Sequence, residues 1–171
     1  GDFVGIDING ATIQVTGTGS LSINGRGGND NSGNQIGVHV RGAGFIQAGT
    51  SGTATVTGTG GASTGTGNDG VIVDASTITS VGASVTVTGQ GSGAGASSSN
   101  DGVDLKNVSV VTSGGSGAVV VQGTGGLGSD SYGVLLRNSG TLITSAGGNV
   151  QVTGQGGGSG TSSNDVGVGI K

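Results

Sequence analysis

The chain has 171 residues and a formal net charge of −4; 44 of its residues are glycine, and proline and cysteine are absent. Without cysteine the fold has no disulfide framework, and without proline or a glycine at every third position it is not collagen. The five basic residues argue against nucleic acid as a partner, because binding phosphates takes an excess of lysine and arginine.

The first recurring element is a short predicted strand, which we call the anchor strand. It consists of a glycine, a β-branched residue, any residue and an aliphatic residue. Copies begin 31 to 34 residues apart, and apolar residues at alternate positions are typical of a strand with one buried face. The six copies are Gly5–Ile8, Gly37–Val40, Gly70–Val73, Gly102–Leu105, Gly133–Leu136 and Gly167–Ile170.

Two more apolar segments follow each of the first five anchor strands. The nearer one is short and comprises Ile13 with Val15, Phe45-Ile46, Ile78, Val108 with Val110, and Leu142-Ile143. The farther one mostly alternates apolar and polar residues and closes on a glycine: Leu21–Gly25, Ala54–Gly58, Val85–Gly89, Val119–Gly123 and Val150–Gly154. A loop of glycine, serine, threonine and asparagine then leads to the next anchor strand.

Three strands per repeat at near-constant spacing predict an all-β fold, a single parallel β-helix or β-solenoid of about five coils and about 32 residues per coil. We expect it to be right-handed, because connections between parallel strands nearly always are. With strands about 4.8 Å apart, the body is about 24 Å tall. The predicted coils are residues 5–36, 37–69, 70–101, 102–132 and 133–166, and residues 167–171 begin a further coil.

The combination of these motifs resembles a known family. Gly-Val-x-Val, then Val-Thr-Val-Thr-Gly, then a Gly/Ser loop ending in Asn-Asp is similar to the repeat regions of bacterial exported β-solenoid surface proteins, the filamentous-haemagglutinin-like and giant adhesin repeats. The resemblance covers essentially the whole chain. It implies an extracellular stalk or fibre segment that displays a distal domain or mediates attachment, and it transfers no catalytic residues.

The sequence offers little for catalysis. His39 is the only histidine, and its place in the anchor strand predicts an outward, solvated imidazole between Asp7 and Ile72 of the neighbouring coils. No motif places a hydroxyl nucleophile beside it. Glutamate and tryptophan are absent, so the clustered carboxylates and aromatic platforms of sugar-cleaving β-helices are missing. We therefore expect that the chain is not an enzyme.

Four aspartates in the loops before the anchor strands are weak candidates for a metal site: Asp69, Asp101, Asp130 and Asp165. Asp69 and Asp101 should lie one coil apart, and calcium would relieve the repulsion between stacked carboxylates. The nine-residue spacing of calcium-binding repeats is absent, however. A ladder of Asn68 on Asn100, with aspartate capping a turn, is the simpler interpretation, and we expect no cofactor.

Four of the five basic residues occupy one position of the coil, four residues after the anchor glycine. They are Arg41, Lys106, Arg137 and Lys171. This basic stripe is a candidate site for an acidic glycan or another partner. The alternative is a solvated corner where Asp74 separates Arg41 from Lys106, since exposed charges at such a spacing interact weakly.

Outward threonines of two third strands form a second candidate surface, the threonine array: Thr55, Thr57, Thr86 and Thr88. Flat threonine arrays on β-solenoids resemble the surfaces of ice-binding proteins. Only two coils have threonine at both outward positions. The others carry Ser22 with Asn24, Val120 with Gln122, and Gln151 with Thr153. Strand propensity alone also explains outward threonine.

No apolar run reaches the length of a membrane span, and no signal peptide is visible. The chain starts just before one anchor strand and stops just after another, so we expect a piece of a longer protein or a unit that stacks end to end. We expect a non-catalytic stalk or fibre segment at the bacterial cell surface. Its expected partners are further coils, copies of itself, a surface glycan or a cell-surface receptor.

Overall fold

The computed structural model describes residues 1–171, and its secondary structure consists of sixteen β-strands without a helix. In chain order the strands are β1 (Ile6–Asn9), β2 (Thr12–Gln14), β3 (Leu21–Arg26), β4 (Val38–Arg41), β5 (Phe45–Ala48), β6 (Ala54–Thr59), β7 (Val71–Asp74), β8 (Thr77–Ser80), β9 (Val85–Gln90), β10 (Val103–Lys106), β11 (Val110–Ser113), β12 (Val119–Thr124), β13 (Val134–Arg137), β14 (Leu142–Ser145), β15 (Val150–Gln155) and β16 (Val168–Ile170). No helix is therefore available to cross a membrane.

The strands form three parallel sheets, and each coil contributes one strand to each sheet. The first sheet has the order β1-β4-β7-β10-β13-β16, the second β2-β5-β8-β11-β14, and the third β3-β6-β9-β12-β15. Equivalent residues of successive coils pair, so that Val71 lies between Val38 and Val103. The predicted fold class is confirmed: the chain is a β-solenoid of about five coils with about 32 residues per turn.

Alternation of side chains along the strands places the core inside the coils. In β9 the residues Val85 and Val87 are fully buried, whereas Thr86 and Thr88 face outward and are half-buried. Val87 is in register with Val56 and Val121, which are also fully buried. Columns of β-branched residues therefore fill the solenoid, and each coil covers the apolar face of its neighbour.

The closing glycine of each third strand packs against the anchor glycine of the coil that follows. A β-carbon on Gly58 would overlap the carbonyl oxygen of Gly70, and one on Gly89 would overlap that of Gly102. The anchor glycines are equally tight, because a β-carbon on Gly70 would strike the backbone amide of Gln90. Two columns of glycine thus meet at one corner, which has no room for a side chain.

The corner between the first and second sheets differs from the prediction. Val108, predicted to share a strand with Val110, lies before β11 with a φ of 66° and is 64% exposed. The inward residues of β11 are Val111 and Ser113. A turn in the left-handed region occupies this corner in other coils as well, for example at Ala75 and Asn138. The turn therefore prevails over the strand preference of Val108.

Val87→Asp tests the assigned register. The carboxylate would stand between Val56 and Val121 without a partner, so we expect the melting temperature to fall by more than about 10 °C. Thr86→Asp, one residue away on the outer face, should lower it by less than about 3 °C. Circular dichroism measures both, and equal melting temperatures would contradict the register.

Gly89→Ala tests the glycine corner. A methyl group there overlaps the Gly102 carbonyl, and overpacking of about 1–3 kcal/mol predicts a fall in melting temperature of about 3–10 °C. Gly17→Ala is the matched control, because nothing lies within 4 Å of a β-carbon at that exposed bend. If both variants melted like the parent chain, the corner would not be close-packed.

Candidate functional site

A groove of about 830 Å³ follows the outer face of the first sheet. Its floor is formed by outward residues of the sheet, among them Asp7, His39 and Ile72. One wall is formed by residues at or just after the ends of four first-sheet strands, Arg41, Lys106, Arg137 and Lys171, and the loop that leads into the sheet forms the other. The loop wall comprises Asp2, Val4, Asn34, Ile36, Gly67, Asp69, Ser99, Asp101, Asp130 and Tyr132.

The four residues of the basic stripe share one wall of this groove. Lys106 pairs in register with Asp74 on one side and with Arg137 on the other, which confirms that the position repeats from coil to coil. Three of the four side chains form ion pairs with aspartates of the same sheet, and Lys171 contacts Tyr132 instead.

Arg41 binds Asp7 through two nitrogens. Its Nε and Nη2 atoms donate to the two carboxylate oxygens at 2.9 and 2.8 Å. This hydrogen bonding lowers the pKa of Asp7 and raises that of Arg41. Both side chains remain partly exposed, with 44% of Arg41 and 35% of Asp7 accessible to solvent.

Arg137 and Lys106 share a buried carboxylate. Asp104 is 1% exposed, and it accepts hydrogen bonds from Nε and Nη2 of Arg137 at 3.0 and 2.6 Å. The ammonium of Lys106 lies 3.4 Å from the same carboxylate and 4.0 Å from Asp74. A buried carboxylate needs such partners. For Lys106 the sequence signal is an aspartate two residues earlier in the same strand, whereas Arg137 reaches Asp104 from the next coil, 33 residues later.

Lys171 and Tyr132 close the groove at the end of β16. The ammonium of Lys171 hydrogen-bonds the Tyr132 hydroxyl at 2.6 Å and lies 4.5 Å from the ring centroid. The ring stands over Gly169, where a β-carbon would lie 2.9 Å from it. The position of this aromatic ring was not anticipated from the sequence.

Asp69 and Asp101 lie one above the other in the loop wall, as their spacing predicts. An oxygen of Asp69 accepts the backbone N–H of Asp101 at 2.6 Å, and an oxygen of Asp101 accepts that of Tyr132 at 2.7 Å. Burial raises the pKa of Asp69 well above its usual value and that of Asp101 to about 7, and the charge of Asp101 adds to the shift of Asp69. Burial therefore favours the neutral forms, and the two backbone N–H donors oppose it.

The other two metal candidates belong to different columns of the loop. An oxygen of Asp130 accepts a hydrogen bond from the side-chain amide of Asn164 at 3.0 Å, and Asp165 accepts the backbone N–H of Ser131 at 3.1 Å. The structure contains no group of three or more His, Cys, Asp or Glu residues arranged to hold a metal ion. The four aspartates thus do not form one cluster.

The column that contains Asp130 has a backbone reason for its composition. Its members all adopt a left-handed conformation, with φ between 51° and 73°, and glycine, asparagine and aspartate tolerate this region best. They are Asn34, Gly67, Ser99, Asp130 and Asn164. The adjacent column carries the predicted amide ladder, in which Nδ2 of Asn68 donates to Oδ1 of Asn100 at 2.8 Å.

His39 lies on the groove floor in register with Asp7 and Ile72, as predicted. It is half-buried, however, and its Nε2 atom is shielded from solvent and has no hydrogen-bond partner. Desolvation, followed by the nearby charge of Arg41, lowers its pKa. The expected solvated imidazole was wrong, because the loop wall and the neighbouring side chains enclose the floor.

The threonine array lies on the outer face of the third sheet. Thr55 pairs with Thr86 and Thr57 with Thr88, so the four side chains form a two-by-two array in register. A column of three threonines on the second sheet, Thr79, Thr112 and Thr144, was not anticipated. Its signal in the sequence is the recurrence of threonine one residue after the inward residues Ile78, Val111 and Ile143.

Comparisons of this chain with models of protein families, with curated proteins and with solved structures give no match.

Asp101→Asn tests the protonation of the loop wall. Between about pH 4 and 7 Asp101 is protonated when folded and ionised when unfolded, so stability falls as pH rises. The variant removes this slope, which approaches about 1.4 kcal/mol per pH unit for one proton. We expect its melting temperature, relative to the parent chain, to rise steadily from pH 4 to pH 7.

The measured quantity is the melting temperature of Asp101→Asn minus that of the parent chain at each pH. The lowered pKa of His39 opposes the trend below pH 6.5 and is common to the parent and the variant. Asp69 keeps a pKa raised by burial in both proteins, but the shift is smaller in the variant because the charge of Asp101 is gone. Asp130→Asn, at an exposed position, is the control and should keep the slope of the parent. Parallel profiles for Asp101→Asn and the parent would contradict the raised pKa.

Proposed function

We propose that the chain is a structural and interaction segment, a stalk or fibre part, of a bacterial exported surface protein of the adhesin type. The observation that carries this proposal is the strand order: every coil adds one strand to each of three parallel sheets in strict register. A solenoid of this kind can be lengthened by adding coils that repeat the same strand pairing, which suits a spacer. The resemblance of the repeats to exported β-solenoids supports the extracellular setting.

The proposed partners of the solenoid ends are further coils or copies of the same chain. Val150 and Val168 are 47% and 38% exposed, whereas Val119 and Val134, their partners one coil inward, are fully buried. The outermost strands also pair on one side only. Unpaired backbone and apolar side chains of this kind favour addition of another strand layer. Contact of one end with the other is head-to-tail and does not close.

Sedimentation velocity over a wide range of concentrations tests this proposal. We expect the 171-residue chain to associate progressively and to form filaments visible by electron microscopy. Val168→Lys should weaken the association, because it places a charge on the contact surface at a site already open to solvent. Its circular dichroism spectrum should match that of the parent chain.

Thr57→Lys is the matched control, since it places the same charge on the outer face of an interior coil. It should associate like the parent. A folded parent chain that stays monomeric at high concentration would contradict the stacking, and so would a Val168→Lys variant that associates as strongly as the parent.

A second candidate function is glycan binding, and the groove on the first sheet favours it. This elongated polar surface extends along the solenoid from Asp2 to Lys171. A stalk and a ligand-binding surface are compatible, because the groove lies on a side face and the proposed stacking uses the ends.

A further inference from the structure

We propose that the groove over the first sheet binds one strand of a neutral, hydroxyl-rich polysaccharide that lies along the solenoid axis. The proposal rests on the interaction role of the segment and names the ligand class that its side face would take. Three properties of the groove carry it: shape, polarity and internally balanced charge.

The shape favours a polymer over a compact small molecule. The groove contains residues of the first coil, such as Asp7, and of the last, such as Lys171. Six first-sheet strands at a spacing of about 4.8 Å extend about 24 Å along the axis. A volume of about 830 Å³ over that length corresponds to a narrow trough. Tyr132 limits it at one end by standing over Gly169.

The lining favours a polar ligand. Only five of the eighteen residues around the groove are hydrophobic, so it offers hydrogen-bonding groups in place of the apolar walls of a typical drug-sized pocket. Ile72 and Leu135 contribute to the floor, but each is at most 5% exposed. A lipid or an aromatic ligand would therefore find little surface to cover.

The charges favour a neutral ligand. Arg41 is paired with Asp7, and Arg137 is paired with the buried Asp104, so both guanidinium groups already have an anionic partner. The loop wall adds aspartates of its own, among them Asp130. An anionic polymer would have to compete with these carboxylates, and a cationic polymer with the four basic residues of the stripe.

The ion pairs also prepare the groove for hydroxyl groups. Arg41 uses Nε and Nη2 on Asp7, which leaves Nη1 to donate, and Arg137 is held in the same way on Asp104. Planar donors and acceptors that are already fixed lose little freedom on binding. A sugar hydroxyl both donates and accepts, so it matches a surface that presents both kinds of group.

Affinity electrophoresis under native conditions tests the proposal. The gels contain a soluble mixed-linkage β-glucan, a galactomannan or a glucomannan as neutral probes, and alginate as an acidic probe. We expect at least one neutral polymer to retard the chain and alginate to retard it less. Because neutral polymers carry no charge, the retardation reports binding directly.

The double variant Asp7→Asn/Arg41→Met removes an exposed ion pair and leaves the net charge unchanged. We expect it to weaken the retardation about tenfold in apparent dissociation constant, as the loss of one or two hydrogen bonds predicts. Thr57→Val/Thr88→Val on the third sheet is the control and should bind like the parent. Melting temperatures establish that both variants are folded.

Three results would overturn the proposal: no retardation by any neutral polymer, stronger retardation by alginate, or full binding by the folded Asp7→Asn/Arg41→Met variant. The sedimentation experiment separates this outcome from the stalk function. A chain that stacks end to end without binding polysaccharide refutes the groove alone, and a chain that binds polysaccharide but stays monomeric refutes the stacking alone.

Discussion

The close approach of two glycine columns at one corner is the constraint on which the rest of the structure depends. Gly58 occupies the third inward position of β6, directly against the backbone of Gly70. The third sheet and the next first strand can therefore meet at contact distance, and the chain enters each new coil at the same point. Because every coil begins at the same point, the strands of successive coils stay in register. This register stacks valine on valine through the core.

Strict register also explains how a glycine- and serine-rich loop becomes a wall of the groove. Such a segment would be disordered in isolation. Here its backbone is tied to the loop one coil away: the amide of Gly61 donates to the Gln35 carbonyl at 2.7 Å, and that of Gly126 to the Asn100 carbonyl at 2.7 Å. Each loop supplies the hydrogen-bond partners of the next, so order spreads along the stack.

The sequence was sufficient to predict what depends on alternation and spacing. It predicted three strands per coil, the stacking of Asp69 with Asp101, and the column of basic residues. It did not predict the left-handed turn at Val108, because strand propensity opposes that conformation and only the corner geometry requires it. It also missed the ion pair between Arg137 and Asp104, since the contact is diagonal: Asp104 is in register with Leu135, two residues before Arg137.

Repetition has a cost for charged residues, because any charge repeated at one position faces its copies one coil away. On the groove floor this repulsion is avoided, because the in-register neighbours of Asp104 are the uncharged residues Ile72 and Leu135. Where two cations are neighbours, Lys106 and Arg137 share the same aspartate. Asp69 and Asp101 are the exception, because two buried carboxyl groups are stacked with no cation within ion-pair distance, and their pKa values are raised. Burial without a close counter-ion thus raises the pKa values of both groups, which couples the wall of the groove to pH.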